Sequence, residues 1–308
     1  MFKRVSACAF FAGLLLFMLA LSGCGDNRIQ IEQGKINVVA SFFPLADLAE
    51  KIGGDRVHVI NLVPAGVEPH EWTPKSKELS AISRAEVFVY NGAGFEGWTE
   101  KLLKKSGGGQ KQVVVEASKG IPLVYTRAKA DERSVDPHVW TSPKSALQIA
   151  ANIYAGLIQA DPEHRGTYDA HYRELTKKLR DLDEAYRTEL DKRKLKRREI
   201  VVAHQSFAYL CRDYGLTQMA VMGLAPDAEP TAKDLRRIAE FVRAHDVTTI
   251  FFEQLVSGQM TKTLAHDLNL RTDTLNPLEG LTEQQVNAGA DYLSEMRANL
   301  RKLVAALK

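Results

Sequence analysis

After an apolar run from Val5 to Leu21, the chain alternates short, nearly continuous runs of β-branched and aromatic residues with longer amphipathic ones. Asn37-Val38-Val39-Ala40-Ser41, Val57-His58-Val59-Ile60-Asn61-Leu62-Val63, Glu86-Val87-Phe88-Val89-Tyr90 and Gln112-Val113-Val114-Val115-Glu116 read as strands. Helical patterns lie between them over Pro44 to Ile52, Lys75 to Arg84 and near Trp98 to Lys104. Continuous apolar strands separated by amphipathic helices are the pattern of a parallel sheet covered on both faces.

From Lys144 to about Lys194 the strand pattern disappears, and Ala, Leu, Glu, Lys and Arg dominate. The one interruption is Asp161-Pro162, a cap followed by a residue suited to a first helical turn. The second part, from Pro162, predicts a helix of about thirty residues, ~45 Å long at ~1.5 Å per residue. The alternation then restarts. Glu199 to Ala203, Gln218 to Met222, Thr248 to Glu253 and a short Arg271 to Leu275 read as strands, with helices over Gln205 to Asp213, Thr231 to His245, Ser257 to Asp267 and Thr282 to Leu307. The expected architecture is α/β: two similar lobes with parallel-type sheets covered by helices, joined by one long helix, with ligand bound in the cleft between lobes beyond the carboxyl ends of strands.

The organisation expected along the chain is therefore a signal segment over 1–23, an anchored and flexible tether over 24–35, a first lobe over 36–161, the linking helix over 162–194 and a second lobe over 195–308. At the front, Lys3 and Arg4 precede the apolar run, and Leu21-Ser22-Gly23-Cys24 closes it with small residues before a cysteine. That order is similar to a bacterial lipobox, in which Cys24 receives a diacylglycerol. An uncleaved anchor helix is the other reading, because the run is only slightly short of the ~20 residues that span a bilayer. Either places the body of the protein outside the cytoplasm, tethered to a bacterial membrane face at the cell surface or in the periplasm.

Of the three cysteines, Cys8 leaves with the signal and Cys24 is the lipid acceptor, so Cys211 stands alone. No disulfide framework and no cysteine-rich zinc site is then available, and any metal must be held by imidazole and oxygen. The formal charge of +3 includes Lys3 and Arg4, and removing those two leaves +1. A near-neutral body has no global field for nucleic acid. The one basic cluster, Lys192 to Arg198, reads as a solvated helix end or lobe connector, or else as an anion or lipid-headgroup site.

Three of the eight histidines sit in stiff contexts: Glu68-Pro69-His70, Asp136-Pro137-His138 and, at the end of a β-rich run, Val202-Ala203-His204. Proline fixes its own φ and restricts the residue before it, so His70 and His138 leave constrained backbones. Imidazole held in place before a ligand arrives suits a borderline metal such as zinc. Taken singly, each of the three is also a satisfactory surface or hydrogen-bonded histidine. His58, His164, His171, His245 and His266 lack such framing and keep that reading.

Five segments in order make the chain resemble the metal-specific substrate-binding lipoproteins of ATP-binding-cassette importers, the zinc/manganese-binding solute-binding family. They are Gly66 to Pro74, Asn91 to Glu96, Asp136 to Trp140, His204 with Phe207 to Leu210 and Tyr214 to Leu216, and Thr274-Leu275-Asn276-Pro277-Leu278. The resemblance covers essentially the whole mature chain. It implies a non-enzymatic, monomeric binding protein that delivers a divalent metal to a membrane permease, with lobes joined by a rigid helix and little hinge motion. It also implies His70 and His138 as ligands from the first lobe and His204 as the third.

Many members carry an acid where this chain has Asn276, so the fourth position is open to Asn276, to water or to a nearby acid such as Glu68. Glu68, Glu96 and Glu253 are expected around the ligands, the last two behind them and not on the metal. The His-rich loop that many zinc-specific members place before the second histidine is missing, since Thr126 to Val135 is short and charged. Manganese-type members have an acid where His204 stands. Three imidazoles therefore favour Zn²⁺, with Mn²⁺ as runner-up. A lipid-anchored zinc hydrolase is the rival from another class, because three histidines and a water also describe a catalytic zinc. No His-Glu-x-x-His pattern accompanies them here. A surface adhesin is a third possibility, carried by reported relatives alone.

Overall fold

The computed structural model of the protein describes residues 29–308 except 106–111, 130–131, 192 and 227–229. The expected signal segment and Cys24 lie outside the described residues. Strands β1 (Ile36–Ala40), β2 (Val57–Asn61), β3 (Val87–Tyr90) and β4 (Val113–Glu116) form one wholly parallel sheet in the order β2-β1-β3-β4. Side chains alternate between its faces. Val38, Ala40, Val87 and Val89 face helix α1 (Phe43–Gly53) and the long helices described below, whereas Val39, Ile60 and Phe88 face α2 (Ser76–Arg84) and α3 (Thr99–Lys105). Continuous apolar runs are thus explained by burial on both sides. Ile29 and Ile31 pack on the second of these faces, so residues 29–35 lie against the lobe rather than forming a free tether.

A hairpin, β5 (Tyr125–Lys129) with β6 (Glu132–Val135), occupies the stretch where the sequence pattern gives only a charged loop. Next come α4 (Pro143–Ala160), a single 3-10 turn over Pro162–His164, and α5 (Arg165–Glu189). The linking helix has 25 residues, ~37 Å at ~1.5 Å each, shorter than the ~45 Å expected because Pro162–His164 forms a separate turn and the helix ends at Glu189.

The second sheet is also parallel, ordered β10-β9-β7-β8, from β7 (Glu199–Val202), β8 (Thr217–Ala220), β9 (Thr249–Phe252) and β10 (Arg271–Thr274). Its helices are α6 (Ala208–Tyr214), α7 (Ala232–Ala244), α8 (Gln259–Asp267), α9 (Glu283–Asn287) and α10 (Tyr292–Leu307). The expected closing helix over Thr282 to Leu307 is two helices. Gly289 takes a left-handed φ of 71°, and Asp291 then caps α10 by accepting from the Ser294 N–H at 2.7 Å.

Helix α5 packs against α1 and α4 of the first lobe and α10 of the second. The Tyr186 hydroxyl donates to the Met296 carbonyl at 2.7 Å. Gly54, at φ 59°, marks another close approach: a Cβ there would sit 2.5 Å from the His171 ring. A second clasp joins the lobes directly, with Lys51 bridging Asp47 at 2.8 Å and Asp291 at 3.0 Å. No helix among the described residues is long and apolar enough to cross a membrane.

Candidate metal centre

His204 lies two residues past Val202 on β7, and Glu253 lies two past Phe251 on β9. Val202 and Phe251 are register partners, so His204 and Glu253 emerge side by side at the carboxyl end of the sheet. The Glu253 carboxylate accepts both the His204 Nδ1–H at 2.7 Å and its backbone N–H at 3.1 Å. Asp136 does the same for His138 through one oxygen, at 2.8 Å from Nδ1 and 3.0 Å from the backbone nitrogen. Each acid fixes the ring and places the proton on Nδ1, which leaves the Nε2 lone pair facing the cleft. His70 is held through its main chain instead, its N–H donating to Glu68 at 3.0 Å.

The three Nε2 atoms converge. His138 Nε2 lies 3.2 Å from that of His70 and 3.3 Å from that of His204. A fourth group joins them: Glu279 Oε1 stands 3.3 Å from His70, 3.2 Å from His138 and 3.0 Å from His204. All four donor atoms lie within 4.8 Å of one another. Metal–nitrogen bonds of ~2.0–2.1 Å in a tetrahedron require donor separations of about 3.3 Å, and the five separations given above are 3.0 to 3.3 Å.

Charge follows the geometry. Burial alone would push the Glu279 carboxyl up, but His204 foremost, with His138 and His70, holds it well below the usual carboxylate range. Burial likewise opposes a charge on His204 and His138. Glu279 and Glu253 around the first, and Asp136 and Glu279 around the second, raise both above the ordinary histidine value. His138, His204 and Glu279 are buried. His70 is the most open of the four and forms part of the wall of a cavity of about 510 Å³ shared with Trp72, Phe95, Trp98 and Lys101.

Other expected residues are placed elsewhere. The Asn276 side chain does not stand in the cluster: Oδ1 accepts from the Leu278 N–H at 2.8 Å and Nδ2 donates to Glu295 at 2.9 Å. Both ends of its amide are therefore engaged by groups other than the three histidines. Glu96 is buried and accepts from the Ser41 hydroxyl at 2.6 Å and from the N–H groups of Asn91 at 2.7 Å and Gly92 at 3.1 Å, none of them a cluster histidine. Burial pushes its carboxyl up. Glu68 accepts from the backbone N–H groups of His70 and Glu71 and is not a donor in the cluster. The residue absent from the sequence reading is Glu279. Its one signal is an ionisable side chain in the otherwise apolar run Leu278-Glu279-Gly280-Leu281.

Two parallel-sheet lobes clasped by a long helix, with imidazoles from one lobe meeting an imidazole and a carboxylate from the other, define a two-lobed solute-binding protein with a metal-ligand set in its cleft. The chain belongs to the ZnuA family, described as "Zinc-uptake complex component A periplasmic", which it matches over residues 38–306. It is similar to the high-affinity zinc uptake system protein ZnuA of Bacillus subtilis (strain 168), at 34% identity over 100% of this chain and 99% of the relative. It is 36% identical to the zinc-binding lipoprotein AdcA of Streptococcus pneumoniae (strain ATCC BAA-255 / R6) over 94% of this chain, and spans 58% of that longer protein. Among solved structures, the Zn(II)-bound ZnuA-like domain of Streptococcus pneumoniae AdcA superposes with a TM-score of 0.77 at 35% identity, covering 89% of this chain and 99% of that domain.

Proposed function

We propose that this protein is an extracytoplasmic lipoprotein, anchored through Cys24, that captures Zn²⁺ with His70, His138, His204 and Glu279 and delivers it to the permease of an ATP-binding-cassette importer. The observation that carries the reading is the convergence of three Nε2 atoms and one carboxylate oxygen within 4.8 Å of one another, the oxygen 3.0 to 3.3 Å from all three nitrogens. Three imidazoles suit zinc better than manganese, which prefers a harder, oxygen-rich set. Four protein donors also make a closed set, the pattern of metal storage and transfer; a hydrolytic zinc keeps one position for water. The zinc named in the relatives' descriptions agrees with this choice.

The test is zinc affinity by competition with a chelating dye, on protein never exposed to affinity-resin metal. Wild type should bind one equivalent and prefer zinc to manganese. His204→Ala and Glu279→Ala should each lose at least two to three orders of magnitude in affinity, about 3–4 kcal/mol. Each should also lose most of the zinc-induced rise in melting temperature, which follows mass action. Stoichiometric tight zinc in either variant removes the convergent site. Delivery is tested separately: cells lacking the protein should fail to grow under zinc chelation, and only a chain with His204 and Cys24 intact should restore them.

A further inference from the structure

We infer that Asn276 is a positioning residue: it shapes the turn that carries Glu279 to the histidines, and it must be a neutral amide because its partner is the Glu295 carboxylate. The inference rests on the reading of Glu279 as a zinc ligand. All four polar groups of Asn276 are engaged. Its N–H donates to Asn299 Oδ1 at 2.9 Å and its carbonyl accepts from Asn299 Nδ2 at 2.6 Å. Its Oδ1 accepts from the Leu278 N–H at 2.8 Å, and its Nδ2 donates to Glu295 Oε2 at 2.9 Å. Glu295 and Asn299 are four residues apart, one turn of α10, so that helix grips the turn at two points. Helix α10 is itself fixed against the first lobe, where the Tyr292 hydroxyl donates to the Trp140 carbonyl at 2.6 Å.

The turn needs such a grip. Leu278, immediately before Glu279, is fully buried with φ at 60°, a left-handed conformation that a branched residue adopts only when its surroundings impose it. The Asn276 amide oxygen holds the Leu278 N–H, and the Trp140 indole donates to the Pro277 carbonyl at 2.7 Å. Together they keep this strained segment in the one shape that places Glu279 Oε1 3.0 to 3.3 Å from three imidazole nitrogens.

The chemistry of the partner determines which residue fits at 276. Glu295 Oε2 already accepts from Gln285 Nε2 at 2.9 Å, so it serves as an acceptor toward both neighbours. An aspartate at 276 keeps an oxygen for Leu278 but turns its other oxygen toward that carboxylate, replacing an N–H···O bond by a like-charge contact. If the new side chain swings away, the hold on Leu278 goes with it; if Glu295 does, the turn loses one of its two grips on α10. The acid that would be a direct ligand at 276 in related proteins is therefore harmful in this chain.

The test is a double-mutant cycle with Co²⁺ and Zn²⁺ as probes. Asn276→Asp should weaken zinc binding by roughly 10–100-fold, the usual cost of losing an outer partner of a metal ligand. It should also lower the visible d–d absorption of bound Co²⁺, which is intense only for the tetrahedral set. Glu295→Gln keeps an acceptor for Asn276 and should stay within threefold of wild type. The double variant, with amide and acid exchanged between 276 and 295, should recover both affinity and cobalt spectrum, an outcome that generic loss of packing does not produce. If Asn276→Asp alone does not fold, the double variant must fold and bind like wild type. Tighter zinc in Asn276→Asp, or a double variant as weak as Asn276→Asp, overturns the inference. Wild-type zinc affinity in Glu279→Gln would instead remove the ligand assignment beneath it, so the two failures are distinct.

Discussion

Glu253 offers a sharp measure of how far the site depends on what stands behind its ligands. Both carboxylate oxygens of Glu253 hold His204, one at Nδ1 and one at the backbone nitrogen. Glu253→Gln preserves shape and one acceptor oxygen but replaces the other by an NH₂ group facing a donor. About one charge-assisted hydrogen bond is lost, ~1.5–3 kcal/mol. At ~1.4 kcal/mol per tenfold, that is roughly 10–100-fold in affinity, the range typical of partners that orient metal-binding histidines. Competition titration against a chelating dye at neutral pH gives the number directly, and the melting temperature of the metal-free variant shows whether the fold has survived. Unchanged zinc affinity in a folded Glu253→Gln protein would refute the idea that this carboxylate sets the tautomer and basicity of His204.

Glu96→Gln is the matching control: it should lower the melting temperature, because it disturbs three buried hydrogen bonds, while a folded variant keeps zinc affinity within a few-fold. Acid should weaken zinc binding, because ligating imidazoles must be neutral and His138 and His204 are raised above the ordinary ~6.5. Affinity should therefore begin to fall above pH ~6.5 as the solution is acidified, and a flat profile from pH ~8 to ~5.5 would contradict the imidazole shell. The same raised values give the metal-free protein stability that is complete below the unfolded-state value and is lost as pH rises through the folded-state values. Its melting temperature should thus drop from mildly acidic to alkaline pH while the zinc-induced increment grows, and thermal scans that show the metal-free protein gaining stability over that range would count against it. Tyr186→Phe removes the buried hydrogen bond to the Met296 carbonyl, which keeps its own partner within α10, and should cost about 0.5–1.5 kcal/mol of stability. Chemical denaturation measures that loss, and zinc affinity of the folded variant should stay as in wild type.

Much of the fold is legible in the chain because both sheets are parallel and buried on two faces, so strands such as Val38-Val39-Ala40 and Val201-Val202 are unbroken apolar runs. The hairpin over Tyr125–Val135 escapes because it is polar and lies outside that two-sided burial. The break between α9 and α10 was written in Gly289 and Asp291, a left-handed stop and a cap, but the apolar spacing on either side reads through it. Among the site residues, the three histidines are marked by proline or by the end of a strand. Glu279 is marked by neither. Its position depends on Leu278 in a left-handed conformation, which no leucine advertises, and on hydrogen bonds to α10 that join residues about twenty apart. Asn276 is marked by a family pattern, yet its partner Glu295 is invisible until the helix is folded against the turn.

The placement of the aromatic residues gives the molecule an internal optical gauge. The chain has three tryptophans, all in the first lobe: one packs on a histidine of the cluster and two line the cavity that His70 helps to wall. Trp140 is fully buried with its ring 5.2 Å from that of His138, and its indole N–H holds the turn that leads to Glu279. Trp72 and Trp98, 6.2 Å apart, share the cavity wall with His70. Intrinsic emission therefore samples the first lobe and its cleft and is blind to the second sheet, which contains no tryptophan. A thermal transition followed by fluorescence and one followed by far-ultraviolet circular dichroism weigh different parts of the same molecule, and any gap between them measures how independently the cleft loosens from the lobe behind it.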